Sequence, residues 1–503
     1  MPDSILFWNA VALEANRVSH TVMPAEQTGP PRSARALAIV HLAMHDAFMA
    51  TTPAAPFPTY LSSADLPPVP PSASPQAAVA GAAYAALSAL FPSQQALFEA
   101  KLLEFGAVSP GFEFGVAVAS VLLADRAADP NTDAAGYVAS PARGRHRVDP
   151  DNPGQGYHAP FFGRHSKAFA VHVRYTLDAP PFEATAAAKA EYLKALRQVR
   201  GRGIAPELMG TLPNSIPGRT IDESLIGVFW GYDGAAGLGT PPRLYNQIVR
   251  RLAMHRSPAS AGTPNTEAEN ARLFALVNVA MADAGILSWD DKYRHDFWRP
   301  VLGIREHDTS MGPGATAARN NISNDTDTGW RPLGAPATNS MNPLFAAVPT
   351  PAYPNNHGLS GRKKNFTPNF PAYPSGHATF GAAAFHIARL FYNVPAGDRG
   401  DDTLFSGLDF VSDEFNGANQ DNRGTVRPRH LRSFPKGLWQ MIIENGRSRV
   451  FLGVHWVFDA FAEDASGDPD LTRNVGGVRL GVDIAEDIFA NGMLHSLAAG
   501  PGA

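Results

Sequence analysis

Cysteine is absent from the 503-residue sequence. Its absence excludes disulfide bonds, iron–sulfur clusters, c-type haem attachment, cysteine-ligated zinc and a thiol nucleophile. Charge is sparse as well, since charged residues make up 17% of the chain and the formal net charge is −4. A chain with no excess of positive charge lacks the electrostatic footprint of a general nucleic-acid or anionic-membrane binder. We therefore expect neither kind of partner.

Long hydrophobic runs are also scarce. The most apolar run, residues 77–91, is too short and too rich in alanine to span a bilayer. The N-terminus carries Asp3 where a secretion signal requires positive charge, and no apolar stretch of adequate length follows. The sequence predicts a soluble protein that is cytoplasmic or secreted by a non-classical route.

Strand-like alternation is rare, and helical spacing of apolar residues dominates the chain. The spacing predicts helices over residues 31–50, 75–91, 93–106, 111–129, 185–201, 241–256, 265–285 and 378–391. Two long segments, residues 130–182 and 306–374, lack regular patterning, in keeping with 45 glycines and 44 prolines in the chain. Irregular segments of that length are typical of functional loops or of disorder. The fold class is mainly α.

The tetrapeptide Pro374-Ser375-Gly376-His377 precedes an alanine-rich apolar helix. Serine is a favoured N-cap, and the free backbone N–H groups of a helix start attract anions. His377 falls within the first turn and so lies close to anything bound there. The alternative is an ordinary serine cap beside a surface histidine.

A second cluster, residues 292–300, reads KYRHDFWRP. Lys292 and Arg299 are seven positions apart, so on one continuous helix both cations would share a face. A solvated basic face is the alternative.

The third cluster lies in residues 448–460, SRVFLGVHWVFDA. Gly453 is suited to end one helix before another begins. On that second helix His455 and Asp459 would be i,i+4 neighbours, so that the carboxylate holds one ring nitrogen and leaves the other for a ligand. A surface ion pair is the alternative.

Together the clusters supply a lysine, two arginines, a helix N-terminus and two histidines. Cations neutralise a tetrahedral oxyanion, arginine adds forked hydrogen bonds, and histidines bond its central atom or move protons. Three independent coincidences would be needed for every cluster to be structural. The sequence therefore predicts an oxyanion site.

The three motifs resemble the tripartite signature of type 2 phosphatidic acid phosphatases, bacterial acid phosphatases and vanadium-dependent haloperoxidases. They read Lys292-x6-Arg299-Pro300, Pro374-Ser375-Gly376-His377 and Ser448-Arg449-x5-His455-x3-Asp459. The membrane phosphatases need several spanning helices, and the soluble acid phosphatases are far shorter. Other stretches resemble the chloroperoxidase-type vanadium haloperoxidases, namely residues 5–22, 28–48, 157–163, 230–253, 271–289, 333–339, 371–381 and 484–492.

This resemblance implies a vanadium chloroperoxidase-like fold, with two four-helix bundles and long irregular loops. We expect residues 1–503 to form a single fold with an N-terminal helical half, residues 1–205, and a C-terminal half, residues 206–495. The C-terminal half would carry the vanadate site in residues 292–300, 374–377 and 448–459.

The resemblance also implies a role for each matching residue. His455 would bond vanadium directly, with Asp459 behind it, and His377 would be the acid–base histidine. Lys292 would also polarise a peroxide oxygen, and Asp233 would pair with Arg449. The residues expected to hydrogen-bond the vanadate oxygens are Lys292, Arg299, Ser375, Gly376 and Arg449.

Trp289 and Phe370 match two aromatic positions beside the cofactor in chloroperoxidases, where bromoperoxidases typically carry arginine and histidine. Both aromatics favour chloride competence. The implied activity is oxidation of chloride or bromide by hydrogen peroxide to hypohalous acid, which halogenates small organic acceptors. V(V) would act as a Lewis acid without redox change. Phosphate would occupy the site when vanadate is absent.

Two alternatives remain open from the sequence. One is an acid phosphatase with His455 as a phosphohistidine nucleophile and His377 protonating the leaving group. The other is a non-catalytic oxyanion-binding protein. The sequence also leaves open the organic acceptor and whether the protein is a monomer or a small homo-oligomer. The loop at residues 355–369 departs from the family pattern, which predicts a different channel mouth.

Two further motifs are interpreted as structural. His41, His45 and Asp46 have the spacing of a zinc pair but lie in an apolar helix with no evident third ligand. The glycine-rich stretch 231–240 lacks the lysine and the preceding strand of a phosphate-binding P-loop, so we expect a loop before a helix.

Overall fold

The computed structural model describes residues 3–106, 110–130, 133–260, 262–321, 323–338 and 364–494, and it is mainly helical, as predicted. The α-helices are α1 Ser4–Ser19, α2 Pro30–Thr51, α3 Pro75–Leu90, α4 Gln95–Phe105, α5 Pro110–Asp125, α6 Phe162–His165, α7 Ala186–Arg202, α8 Ile221–Phe229, α9 Pro241–Ala253, α10 Glu267–His295, α11 Pro300–Arg305, α12 Gly376–Phe391, α13 Gly437–Phe451, α14 Val457–Ala460 and α15 Gly477–Ala490. The short 3-10 helices are Pro92–Gln94, Pro206–Thr211 and Asp413–Phe415.

The strands in these residues are two-residue segments, β1 Asp409–Phe410, β2 Arg432–Ser433, β3 Ala462–Glu463 and β4 Pro469–Asp470. They form two antiparallel pairs, β1 with β2 and β3 with β4.

Helix starts follow the capping chemistry of the sequence. The Ser74 side chain caps α3, and Thr266 with Glu269 forms a capping box at the start of α10. Ser375 caps α12, with its side chain accepting from the Ala378 N–H, as the tetrapeptide predicted. Because a capped start fixes the entry of the chain, His377 lies in the first turn of α12.

Packing divides the long helices into two groups. In the first group α2, α3 and α5 pack on one another and α1 packs on α2 and α3; in the second, α12 packs on α10, α13 and α15. Helix α10 also packs along α2 and so joins the groups. It is long and apolar enough to cross a membrane, but its whole apolar window is buried inside the protein. That burial is the arrangement of a core helix.

Where the structure describes them, the two irregular segments lack long helices, as the sequence predicted. Between residues 133 and 182 the one helix is the four-residue α6, and no helix follows α11 in the described residues before α12. Of the divergent loop 355–369, residues 355–363 lie outside the described residues. Residues 364–369 line a cleft of about 1150 Å³ that reaches Phe370 and Asp233.

The His41–His45–Asp46 motif is part of the core, as expected. His41 bonds the Leu37 carbonyl and Asn9, and the His45 ring bonds Asp46. No cluster of three potential metal ligands occurs in the part of the chain that the structure describes. Residues 231–240 form a loop that leads into α9.

Candidate active site

The two cations of the first motif come from different elements, which corrects the expectation of one shared helix face. Helix α10 ends at His295, and Asp296 adopts a left-handed conformation with φ 50°. Arg299 is the N-cap of the next helix, α11. Lys292 and Arg299 nevertheless both lie in the protein interior. Their burial rules out a solvated basic face.

Lys292 holds the segment that leads into α12. Its Nζ donates to the carbonyls of Pro371, Ala372 and Pro374 at 2.9, 3.1 and 2.5 Å. Burial, and then the nearby Arg299 and Arg449 charges, lower the pKa of the Lys292 ammonium well below its usual value. The lysine therefore fixes the start of α12 while its own charge is poorly compensated.

Arg299 links the first motif to the third. Its Nε donates to the Phe370 carbonyl at 2.9 Å, and its Nη1 donates to the Val454 carbonyl and to His455 Nε2, both at 2.8 Å. Burial lowers the pKa of its guanidinium to about 9, although Asp459 opposes that shift.

Arg449 projects from the last turn of α13 and pairs with Asp233, which lies in the loop before α9. The Arg449 Nη2 to Asp233 Oδ1 distance is 2.8 Å. Burial raises the pKa of the Asp233 carboxyl, while Arg449 acts in the opposite direction. The pair brings two segments 216 residues apart together at the site.

His455 lies in a turn rather than on the second helix that the sequence predicted. Helix α13 ends at Phe451, Gly453 turns the chain with φ 73°, and α14 begins only at Val457. The expected hydrogen bond still forms, because Asp459 Oδ2 lies 2.8 Å from His455 Nδ1 and also accepts from the Trp456 N–H.

The surroundings of His455 determine its tautomer. A carboxylate accepts and a guanidinium only donates, so the proton is on Nδ1 and the lone pair is on Nε2. Burial and then the Arg299 and Lys292 charges lower the pKa of the imidazole well below its usual value, which keeps it neutral. Burial raises the pKa of Asp459 to about 7. A neutral imidazole with an unprotonated Nε2, which here accepts from Arg299, is the kind of donor that a metal ligand requires.

His377 is held in the opposite tautomer. Its Nε2 lies 2.8 Å from the Gly231 carbonyl, which can only accept, so Nε2 carries the proton. Burial and the Arg449 charge lower the pKa of this imidazole well below its usual value. A neutral ring of this kind has Nδ1 as its basic atom.

The start of α12 adds backbone donors. Ser375 and Gly376 are buried, and the first N–H groups of a helix have no acceptor within it. The Ser375 N–H donates to the Asp459 carbonyl at 2.8 Å, so α12 and α14 are held together at their first turns.

Two aromatic rings cover the cationic side of the site. Trp289 and Phe370 lie 4.8 Å apart between ring centroids, and Lys292 Nζ lies 5.5 and 5.2 Å from those centroids. The Arg299 guanidinium carbon lies 5.0 Å from the Phe370 ring. These contacts place apolar surface against charges that have little access to water.

The residues present fit a tetrahedral oxyanion such as vanadate. Arg299 Nη2 and Arg449 Nε and Nη1 are buried and have no hydrogen-bond partner among the described residues. Leaving buried charged donors unpaired is costly, and a multiply charged anion would satisfy them. The His455 Nε2 lone pair is the fitting ligand for its central atom, once the hydrogen bond from Arg299 is given up.

Several residues that support the site are not identifiable from the sequence. Tyr245 and Asn445 both donate to the His377 carbonyl, at 3.1 and 2.8 Å. The Glu414 carboxylate accepts from the Tyr232 N–H at 3.2 Å. None of these residues stands in a motif, so only the fold could reveal them.

Known proteins match this chain along most of its length. Residues 2–168 match the family model for the vanadium chloroperoxidase N-terminal domain, and residues 272–469 match that for the second helical-bundle domain. A vanadium chloroperoxidase from Curvularia inaequalis is 36% identical over an alignment that covers 97% of this chain and 90% of that protein.

Two solved structures share the fold. A bacterial vanadium-dependent iodoperoxidase aligns with a TM-score of 0.56 at 18% identity, covering 97% of this chain and 96% of the other. An apo-type bacterial vanadium-dependent chloroperoxidase aligns with a TM-score of 0.58 at 14% identity, covering 94% and 95% of the two chains.

Proposed function

Because the chain belongs to the vanadium haloperoxidase family, we propose that it oxidises chloride and bromide with hydrogen peroxide to hypohalous acid. That oxidant would halogenate small organic acceptors. The identity to a fungal chloroperoxidase along nearly the whole chain supports the proposal, as does the pair of aromatic side chains at the site.

The observation that carries the proposal is the set of buried, unpartnered arginine N–H donors beside two neutral histidines in opposite tautomers. Arg299, Arg449, the Ser375 hydroxyl and the Gly376 N–H would hold the vanadate oxygens, and Lys292 would join them by giving up one of its bonds to a backbone carbonyl. His455 Nε2 would bond the vanadium. Bound vanadate supplies a Lewis acid that activates hydrogen peroxide without a change in oxidation state.

His377 is the residue best suited to move the proton of hydrogen peroxide. Its ring is neutral, its Nε2–H is held by the Gly231 carbonyl, and Nδ1 is left as the base. Tyr245 and Asn445 hold the backbone of the same residue. A base fixed at both backbone and ring moves a proton with little reorganisation.

The aromatic pair gives the proposal its preference for chloride. Trp289 and Phe370 exclude water from the charges of Lys292 and Arg299, and the buried indole N–H of Trp289 has no acceptor within the described ranges. In a drier site cations polarise their neighbours more strongly, which favours oxidation of the less easily oxidised halide.

The test is halogenation of a chlorinatable dione by vanadate-loaded protein with hydrogen peroxide and chloride, bromide or iodide. We expect turnover with chloride, and we expect W289R and F370H to lose the chloride activity while retaining bromide activity. Turnover with iodide alone in the unaltered protein would contradict the assigned halides. A lack of turnover with every halide would contradict the reaction.

A phosphatase activity of the vanadate-free protein is a second candidate, and one observation favours it. The His455 Nε2 lone pair, with Asp459 behind Nδ1, is arranged as a nucleophile beside the arginine donors. Phosphate-ester hydrolysis that orthovanadate inhibits and H455A abolishes would establish it. Hydrolysis that survives H455A would exclude His455 as the nucleophile.

A further inference from the structure

Glu414 is a buried carboxylate that none of the three motifs contains. It lies in the 3-10 helix Asp413–Phe415 and has no exposed surface. Its Oε2 accepts from Arg427 Nη1 at 2.9 Å and from the Thr338 hydroxyl. Its Oε1 accepts from the backbone N–H of Tyr232 at 3.2 Å. Glu414 therefore directs one oxygen at the loop that precedes α9.

That N–H belongs to the peptide group that holds His377. The Gly231 carbonyl and the Tyr232 N–H are two ends of one planar peptide unit. The carbonyl end accepts from His377 Nε2 at 2.8 Å, and the N–H end donates to Glu414. One peptide group thus connects a buried carboxylate with the imidazole. Hydrogen bonds connected in this way polarise one another.

We propose that Glu414 is a positioning residue for His377 and acts through the Gly231–Tyr232 peptide. By accepting from the N–H end, the carboxylate increases the negative charge on the Gly231 carbonyl, which then binds the Nε2–H of His377 more strongly. The proton is fixed on Nε2, and Nδ1 remains the basic nitrogen. This role rests on the proposed function of His377 as the proton acceptor.

The local backbone is shaped around this contact. Tyr232 has φ 55°, a left-handed conformation that is uncommon for an aromatic residue and is retained only where the surroundings demand it. A Cβ at Gly231 would lie 2.3 Å from Glu414 Oε1, so a larger residue there would push the carboxylate away from its present position. Gly231 and Tyr232 thus both accommodate the hydrogen bond from the Tyr232 N–H to Glu414.

The charge of Glu414 depends on its neighbours. Burial raises its pKa to about 7; Arg427 opposes that shift, and Asp233 adds to it. His377 in turn faces the Arg449 and Lys292 charges, and its Nε2 lies 3.9 Å from Asp233 Oδ1. The test is made at pH 8 because ionisation of the carboxyl is favoured above its pKa.

The experiment is proton–nitrogen NMR of the full chain without vanadate at pH 8, with ring-labelled histidine. The His377 signal is assigned by its loss in H377A. E414Q keeps an oxygen acceptor for the Tyr232 N–H but removes the charge, so we expect the Nε2–H proton to move upfield. D413N removes a carboxylate from the same 3-10 helix that pairs with Arg243 and contacts the Tyr232 side chain but not the Tyr232 N–H, so it should leave the signal in place.

G231A is the second variant, because it leaves Glu414 charged but pushes the carboxylate off the peptide. We expect the same upfield movement, so the proposal can be tested even if E414Q does not fold. An unchanged His377 resonance in the folded variants, or an equal movement in D413N, would overturn the proposal. Because vanadate is absent, this result is independent of whether the protein oxidises halide.

Turnover gives a second readout. In the vanadate-loaded protein we expect E414Q to lower kcat about tenfold, as is usual for the loss of a residue that hydrogen-bonds and orients a group of the active site. We expect the kcat of D413N to match that of the unaltered protein. If the unaltered protein itself shows no halide oxidation, the proposed function fails while the NMR result still decides the role of Glu414. An unchanged kcat in E414Q would overturn the proposal.

Discussion

Two histidines of the pocket are held in opposite tautomers, and this difference supports the separate tasks proposed for them. His455 has its proton on Nδ1 against Asp459, and His377 has its proton on Nε2 against the Gly231 carbonyl. The first ring therefore offers Nε2 as a ligand atom and the second offers Nδ1 as a base. Sequence spacing placed both residues at the site but could not assign a proton, because the carbonyl that holds His377 comes from a loop 146 residues away.

H377A should separate turnover from binding. Removing the base should lower kcat for halide oxidation by about 10²- to 10⁴-fold, the usual contribution of a positioned general base. Vanadate affinity should change far less, because the arginines and His455 remain. Steady-state kinetics and equilibrium dialysis of vanadate measure the two effects. An equal loss of affinity and turnover would show that His377 chiefly holds the anion.

D459N should weaken vanadate binding, because the amide holds the His455 ring less firmly. Loss of such a supporting partner typically costs about 10- to 100-fold in metal affinity. Calorimetric titration of vanadate measures the change. An affinity within twofold of the unaltered protein would contradict the role of Asp459.

The same variant should alter the pH dependence of stability. The pKa of Asp459 is raised from 3.8 to about 7 in the folded protein, so the folded state binds a proton that the unfolded state releases. Its contribution to stability is therefore complete below pH 4 and is lost as the pH rises through 7. D459N lacks this contribution, so its Tm should fall less between pH 5 and 8 than that of the unaltered protein. Some fall should remain, because the other buried carboxyls are still present. An equal fall of Tm with pH in D459N and in the unaltered protein would contradict this role of Asp459.

At the scale of elements, the sequence predicted what local spacing controls. The helices of the core and the cap at Ser375 follow from apolar periodicity and capping chemistry, and they were confirmed. The turns between motif residues were misjudged. Asp296 ends α10 between Lys292 and Arg299, and His455 precedes α14, because tertiary contacts rather than periodicity determine where those helices stop.

Gly453 offers a test at this scale. It has φ 73°, and a Cβ there would lie 2.4 Å from the Gly203 carbonyl oxygen. A left-handed conformation alone costs an alanine about 1–2 kcal/mol, and the clash with Gly203 adds to that cost, so G453A should lower the free energy of unfolding by more than this amount. G453A should also weaken vanadate binding, because it displaces His455.

G467A is the matched control for that change. Gly467 has φ 85°, but nothing lies within 4 Å of the position of a Cβ. Its substitution should cost only the backbone conformation and leave vanadate affinity unchanged. Urea unfolding with vanadate titration of both variants measures the difference. Equal effects on affinity would show that the turn does not position His455.

At the scale of the whole molecule, the anion should act as a stabilising ligand, because it binds buried donors that only the folded chain brings together. At a hundred times the Kd, binding adds about 2.7 kcal/mol, and for a chain of this length Tm should rise by about 2–3 °C. Thermal denaturation with vanadate, with phosphate, and with chloride at equal ionic strength measures this. A rise with chloride equal to that with vanadate would indicate a general salt effect.

The measurement that tests the central claim most directly is a titration of vanadate-free protein with orthovanadate. Bound vanadium and dione halogenation are followed at each addition, with phosphate as competitor. The site described here predicts that halogenation rises in proportion to bound vanadium, saturates at about one vanadium per chain, and is suppressed by phosphate. Vanadium that binds at one per chain without halogenation, or halogenation that does not depend on vanadium, would contradict the account.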